Sequence, residues 1–223
     1  MRNRFLELAM LAALVTMILA GCERDIPVAA TSTIPVSGYR IEGTITDGLR
    51  RPLVGVPIRL FYDPTFVGTD SIPTMSYLLQ AVNEFVRVLV YTSSGQFVRS
   101  LFAQTVTDTA IVIIWDQRSD AGVPVASGLY SVQYRVGSEI RKSYDVIVDG
   151  NITATTDSAG FYSVNETNLP VGAVVQYYNG LTFLGWYRLE PSVFLQIDAP
   201  TLNRIYHVAL EKNIVTEFSL IVE

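Results

Sequence analysis

The sequence predicts an all-β fold made of β-sandwiches, and two features of the chain carry that prediction. Apolar and polar residues alternate along most of the chain after residue 37, and the clearest run is residues 130–136, as on a strand with one dry face and one wet face. Turn pairs separate the runs, among them Asp47-Gly48, Ser94-Gly95, Ala159-Gly160 and Asn179-Gly180. Short strands with regular turns are typical of β-sandwiches.

The alternating runs place the predicted strands in order at residues 39–45, 54–62, 86–90, 111–115 and 130–136. We predict that Val54, Val56, Ile58, Leu60 and Tyr62 share one face of their strand. Residues 75–90 mix β-branched and aromatic side chains, which favours two strands over a helix. Trp115 alternates with Ile111 and Ile113, and this spacing predicts that its indole lies in a core.

Composition excludes several classes of function. The chain of 223 residues has a net charge of −5 and a pI near 4.9. A nucleic-acid partner is therefore not expected, because such proteins need a basic face. With one Cys and one His, the chain has little material for a transition-metal site, and we expect no cofactor.

The first residues have the pattern of a secretory signal. Arg2 and Arg4 form a positive end, and residues 8–20 are apolar except for Thr16. Such a run spans about 20 Å as a helix, which is short of the roughly 30 Å hydrocarbon core, and it fits a signal peptide. The run ends in Leu19-Ala20-Gly21-Cys22, which resembles the bacterial lipobox.

The lipobox resemblance implies that residues 1–21 are a lipoprotein signal peptide and that Cys22 is diacylated, so that the protein is attached to a membrane of the bacterial envelope. Glu23 follows Cys22, where an Asp would retain the lipoprotein in the inner membrane. The resemblance therefore favours the outer membrane, with the periplasmic and surface faces both open. Residues 22–37 lack periodicity and are predicted to be a tether.

Two family resemblances divide the rest of the chain. Residues 43–60, with Gly43-Thr44-Ile45-Thr46-Asp47 and then Pro52-Leu53-Val54-Gly55-Val56, resemble the opening of carboxypeptidase regulatory-like domains. The next element of that family resembles Thr156-Asp157-Ser158-Ala159-Gly160-Phe161-Tyr162, close to ninety residues later. Between them, Trp115-Asp116 to Gly122 and Val125-Ala126-Ser127-Gly128-Leu129-Tyr130 resemble the Ig-like domain of flagellar hook-capping proteins.

These resemblances imply two β-sandwiches, of Ig-like and prealbumin-like type, with one inserted in the other. Residues 38–63 and 150–223 would form the carboxypeptidase regulatory-like sandwich, and residues 64–149 the inserted one. Residues 58–62 and 152–156 should then pair in one sheet. We expect Ile45, Val56 and Ile58 to share a core with Phe161 and Val164. A separate core should contain Val88, Ile113, Trp115, Tyr130 and Val132.

No pattern for catalysis is present in the sequence. His207 lies alone in an alternating strand and there is no Gly-x-Ser-x-Gly elbow. The zinc domain that carries peptidase activity beside regulatory-like domains is absent, so we expect a protein that is not an enzyme. The acidic residues in predicted turns that could supply oxygen ligands to Ca²⁺ are Asp116, Asp120, Asp145, Asp149 and Asp157. They do not follow an Asp-x-Asp-x-Asp-Gly pattern, and we expect no metal.

An aromatic stretch is the best candidate for binding. Its aromatic residues are Tyr177, Tyr178, Phe183, Trp186 and Tyr187. These rings could stack on a sugar while the Asn179 side chain forms hydrogen bonds with the sugar hydroxyls. Alternation along a strand, however, turns about half of the rings toward a core. Two functions remain open. The first is a non-enzymatic envelope lipoprotein that contacts another envelope protein. The second is a glycan-binding or small-ligand-binding sandwich. A contiguous exposed aromatic strip would favour the second, and buried rings with open sheet edges the first.

Overall fold

The computed structural model describes residues 31–35, 38–69, 76–78, 83–107, 110–179 and 182–223. The strands in these ranges are β1 (Thr31–Pro35), β2 (Arg40–Asp47), β3 (Pro57–Gly68), β4 (Ser76–Leu78), β5 (Glu84–Thr92), β6 (Phe97–Val106), β7 (Ala110–Val112), β8 (Gly128–Val136), β9 (Glu139–Val148), β10 (Ile152–Thr155), β11 (Phe161–Val164), β12 (Val174–Asn179), β13 (Thr182–Ala199), β14 (Leu202–Ala209), β15 (Ile214–Glu217) and β16 (Leu220–Val222). One 3-10 helix spans Glu166–Asn168.

The predicted all-β sandwich fold is confirmed. No helix in these ranges is long and apolar enough to cross a membrane.

The smaller main sheet is built around β2. Its strand order is β1-β15-β2-β11, and β16 pairs with the far end of β2. Strands β15 and β16 both run parallel to β2, and Phe218, one of the two residues between them, donates its N–H to the carbonyl of Glu42. The Phe218 carbonyl lies against Gly43, where a side chain would not fit, and it accepts a 2.7 Å hydrogen bond from the Tyr162 hydroxyl.

The larger sheet has nine strands in the order β10-β3-β13-β12-β9-β8-β5-β6, with β14 beside β13. Strand β10 pairs with the start of β3, so that Ile152 lies opposite Arg59 and Thr155 opposite Pro57. The predicted pairing of residues 58–62 with residues 152–156 is therefore present. Strand β13, with 18 residues, is long enough to pair with β3, β12 and β14.

The first core lies between the two main sheets. It includes Ile41, Ile45, Val56, Ile58, Leu60, Tyr162, Val164, Leu195, Ile197 and Val222. One prediction for this core was wrong, and so was the prediction that Val54 shares a strand face with Val56, Ile58, Leu60 and Tyr62. Phe161 is 37% exposed because the register of β11 turns Tyr162 and Val164 inward. Val54 is 64% exposed because it lies in a turn before β3 begins.

The second core covers the other face of the large sheet. Val88, Trp115, Tyr130 and Val132 are buried in it as predicted, and Ile113 packs at its margin. Ile111 of β7 and Trp115 in the segment that follows β7 belong to this core. The Trp115 ring meets the Tyr130 ring edge-on at 5.1 Å, and its indole N–H donates to the Arg118 carbonyl.

One sheet contributes to both cores where they meet. On β9, Ile147 faces the first core while its neighbours Val146 and Val148 face the second. Strand β12 pairs with β9 through Gln176 and Val146 and so links the two parts. The first core draws most of its residues from 38–63 and 150–223, and the second from 86–148. The assignment of these parts to two families stays a prediction.

Candidate functional site

The predicted aromatic platform is divided between the two sides of the β12–β13 hairpin. Tyr177 packs against the first core, and its ring centroid lies 4.9 Å from that of Tyr187. Tyr178 packs against the second core, 5.6 Å from Phe183. Adjacent strand residues point to opposite faces, and here each face has a core beneath it. The rings therefore do not form one continuous strip.

The tyrosine hydroxyls of this hairpin are turned inward. Burial raises the pKa of Tyr177, whose hydroxyl has no hydrogen-bond partner among the described residues. Burial also raises the pKa of Tyr178 to about 12, and its hydroxyl donates to the side-chain oxygen of Gln176 at 2.8 Å. Trp186 is half-buried against Phe183. Asn179 is the last residue of β12, opposite Thr182, and its side chain lies outside what the structure describes.

His207 has neighbours that the sequence did not reveal. It lies on the outer face of the large sheet, with its Nε2 atom 3.6 Å from a carboxylate oxygen of Asp63. The Ser192 hydroxyl donates to that same oxygen at 2.6 Å. Asp63 and Ser192 are 129 residues apart, and no local motif marks either one.

The order of contacts in this cluster does not match a nucleophilic triad. In a triad the imidazole accepts the serine proton and the carboxylate holds the imidazole. Here the Ser192 hydroxyl and the His207 imidazole both meet the Asp63 carboxylate, and the serine proton is directed at Asp63. The geometry orients the imidazole on the sheet and does not activate the serine.

The Phe194 ring stacks against the His207 ring of this cluster. The Phe194 and His207 rings lie on neighbouring strands, with centroids 4.8 Å apart and planes within 29° of parallel. That separation equals the spacing between strands, about 4.8 Å. Each of these two rings therefore covers one face of the other, and that face is not available for stacking on a sugar.

The turn acids considered for calcium have protein partners in four cases. Asp116 pairs with Arg99, Asp120 accepts from the Ser100 N–H, Asp157 accepts from the Ala159 and Phe161 N–H groups, and Asp149 accepts from the Tyr62 N–H. Asp145 is exposed on β9. Within the described ranges, no three Asp, Glu, His or Cys side chains come together in a group that could hold a metal.

The edge of the large sheet at β6 is half covered and half open. In its first half, the Asp120 N–H donates to the Val98 carbonyl, and the Asp120 side chain accepts from the Ser100 N–H, both at 3.1 Å. The turn that contains Asp120 therefore takes the place of a neighbouring strand. Along residues 101–106, β6 pairs with β5 alone among the strands that the structure describes.

The open half of β6 borders a cleft. The cleft has a volume of about 280 Å³ and is lined by β6 residues, including Phe102, Gln104 and Thr105, and by residues 110–113 around β7. Residues 101–106 contain no charged residue, no Pro and no Gly. The strands predicted from alternation did not include β6, and the sequence carries no signal that this strand ends the sheet.

Comparisons of the chain with protein-family models, with curated proteins and with solved structures found no match. The two domain resemblances therefore stay predictions. The acylation of Cys22 stays a prediction too, and Cys22 lies outside the described residues.

Proposed function

We propose that this protein is a non-enzymatic lipoprotein of the bacterial envelope, anchored in the outer membrane through Cys22, which acts as a structural or protein–protein interaction module. Its binding site is the open edge of β6 at residues 101–106, and its partner is an extended segment of another envelope protein. The observation that carries this proposal is the uncharged half of β6, which lies beside a cleft and pairs with β5 alone among the described strands.

Sheet edges attract other strands because their outward N–H and C=O groups are free to pair. Proteins block such edges with charged side chains, Pro, very short strands or covering loops. Three other edge strands carry such features: β10 and β11 have four residues each, and β14 carries Arg204 and His207. The first half of β6 is covered by the Asp120 turn. Residues 101–106 contain no charge and no Pro, and no described strand other than β5 pairs with them.

The alternative, a glycan-binding or small-ligand module, has less support. The hairpin rings pack against two different cores, and the Phe194 and His207 rings cover one face of each other. An enzymatic function has less support as well, because the Ser192 proton is directed at Asp63 and not at His207.

Capture of partners from detergent-solubilised envelopes tests the proposal. The edge variant Gln104→Lys places a charge in the cleft, and Gln96→Lys makes the same change at an exposed residue of the β5–β6 turn. An inward-pointing charge opposes the addition of a strand. We expect the wild type and Gln96→Lys to capture the same protein, and Gln104→Lys to lose most of it. Equal capture by both variants would contradict binding at the β6 edge.

A further inference from the structure

A rigid turn presents a leucine to solvent at one end of the molecule. The turn after β2 is held by Asp47, whose side chain accepts from the N–H groups of Leu49 and Arg51, both at 2.9 Å. The Arg50 N–H donates to the Asp47 carbonyl, and the Arg51 guanidinium pairs with the Asp47 carboxylate at 2.7 Å. Leu49 is 74% exposed. An apolar side chain is therefore fixed in water by a network of hydrogen bonds.

Further apolar surface lies at the same end. A cleft of about 430 Å³ opens beside the turn, and Leu49, Leu53, Pro200 and Val222 line it. Val54, in the next turn, is 64% exposed. Single exposed apolar residues are common on proteins, but Leu49 also lines this cleft, whose walls include the charged residues Asp47, Arg51 and Glu223.

Strand β1, which lies within the predicted tether, has its first residue toward this end. Strand β1 runs antiparallel to β15, and Thr31 lies opposite Thr216. Thr216 in turn lies opposite Ile41 on β2, which runs toward Asp47. Because β1 runs the other way, Thr31 is the end of β1 nearer the Asp47 turn.

The length of chain before Thr31 is short. Cys22 is nine residues upstream of Thr31, and nine residues span at most about 30 Å in any conformation. The six residues from Ile41 to Asp47 cover about 20 Å along β2. When β2 stands perpendicular to the bilayer with the Asp47 turn toward it, a fully extended tether puts the turn about 10 Å from the bilayer surface. A less extended tether lets the turn touch the surface.

The opposite end of this sandwich is occupied by the rest of the protein. Gly38 packs against the side chain of Glu166 in the 3-10 helix. The Asn168 amide of that helix donates to the Ser127 carbonyl at 2.7 Å, and the Tyr62 hydroxyl donates to the Asn168 carbonyl at 2.8 Å. The second core joins at this end, so the Asp47 turn is the end left free to face the membrane.

We propose that the turn from Asp47 to Arg51 rests on the phospholipid bilayer, with Leu49 inserted between the headgroups. Arg50 follows Leu49 at the tip, and its guanidinium can meet a lipid phosphate. The inference depends on the acylation of Cys22 in the proposed function. It also gives the orientation of the protein on the membrane. The open edge of β6 belongs to the part of the protein that is directed away from the bilayer.

The test uses the acylated full-length protein in phosphatidylethanolamine and phosphatidylglycerol vesicles that contain nitroxide-labelled lipid. An environment-sensitive fluorophore is attached at Leu49→Cys, since the Cys22 thiol is blocked by its acyl group. The control is Phe97→Cys, a 52% exposed site at the start of β6. We expect the Leu49→Cys label to shift to shorter wavelength and to be quenched at least twofold, while the Phe97→Cys label stays unquenched.

Mass spectrometry of the N-terminal peptide separates the two proposals. If Cys22 carries lipid and the Leu49→Cys label is no more quenched than the Phe97→Cys label, the turn does not touch the bilayer and the anchor stands. If Cys22 carries no lipid, both the anchor and the bilayer contact are wrong.

Discussion

Asp149 is the residue whose ionisation depends most clearly on the junction between the two cores. Its side chain accepts from the Tyr62 N–H at 3.0 Å, and burial raises its pKa from the ordinary 3.8. The hydrogen bonds from Tyr62 and Gly150 act in the opposite direction but do not outweigh the loss of hydration. The charged form of the Asp149 carboxylate is therefore less favourable in the folded protein than in water.

This cost predicts a pH dependence of stability. A carboxyl with a raised folded pKa stabilises the fold while it is protonated, and this contribution is lost as the pH rises through the folded pKa. Asn at position 149 can keep the hydrogen bond from Tyr62 without a charge. The free energy of unfolding of Asp149→Asn, relative to wild type, should therefore increase between about pH 4 and pH 7. Urea denaturation at both ends of that range measures it, and a difference that does not change with pH would contradict the account.

At the scale of elements, the small sheet depends on the close approach of β2 to the Phe218 backbone. The Phe218 carbonyl occupies the position where residue 43 would place a Cβ atom, and Tyr162 donates to the same carbonyl. Two parallel strands, β15 and β16, continue from either side of this contact.

We predict that Gly43→Ala destabilises the protein by about 1–3 kcal/mol, because a backbone carbonyl must move to admit the methyl group. Gly48→Ala is the matched control, since a Cβ at Gly48 would meet no atom within 4 Å, and it should change stability by less than about 0.5 kcal/mol. Chemical denaturation of both variants checks the pair. Equal stability of the two would show that the β2 contact is looser than described.

The sequence predicted the elements better than it predicted their surroundings. Alternation is a local property, so it identified β3, β5 and β8 and placed Trp115 in a core. It was wrong for Phe161 because β11 has only four residues, and its register is decided by contacts of Tyr162 with residues 43 and 218.

The candidate sites depend on long-range contacts, which the sequence does not report. Half of the rings near residue 180 were expected to face a core, but both faces of that hairpin have a core beneath them because one sheet serves two cores. Asp63, Ser192 and His207 meet on three different strands. The open edge of β6 follows from strand order alone.

At the scale of the whole molecule, the chain joins two cores through one continuous sheet and leaves half of the β6 edge without a partner strand among the strands described. The junction is polar and buried: the Ser127 hydroxyl donates to the Leu60 carbonyl at 2.8 Å and accepts from the Asn151 N–H at 2.9 Å. Such contacts fix the second core on the first, so that the edge of β6 is presented by a rigid support.

Residue-resolved amide hydrogen exchange on the purified protein tests the open edge most directly. We predict slow exchange for β2, β3, β5 and β8, and slow exchange for the β6 amides that pair with β5. The amides of residues 101–106 that point away from β5 should exchange rapidly, because no described group accepts from them, and amides without a partner exchange without any opening of the fold. Slow exchange of every amide from residue 101 to residue 106 would show that the edge is already occupied, and would contradict its proposed use as a binding site.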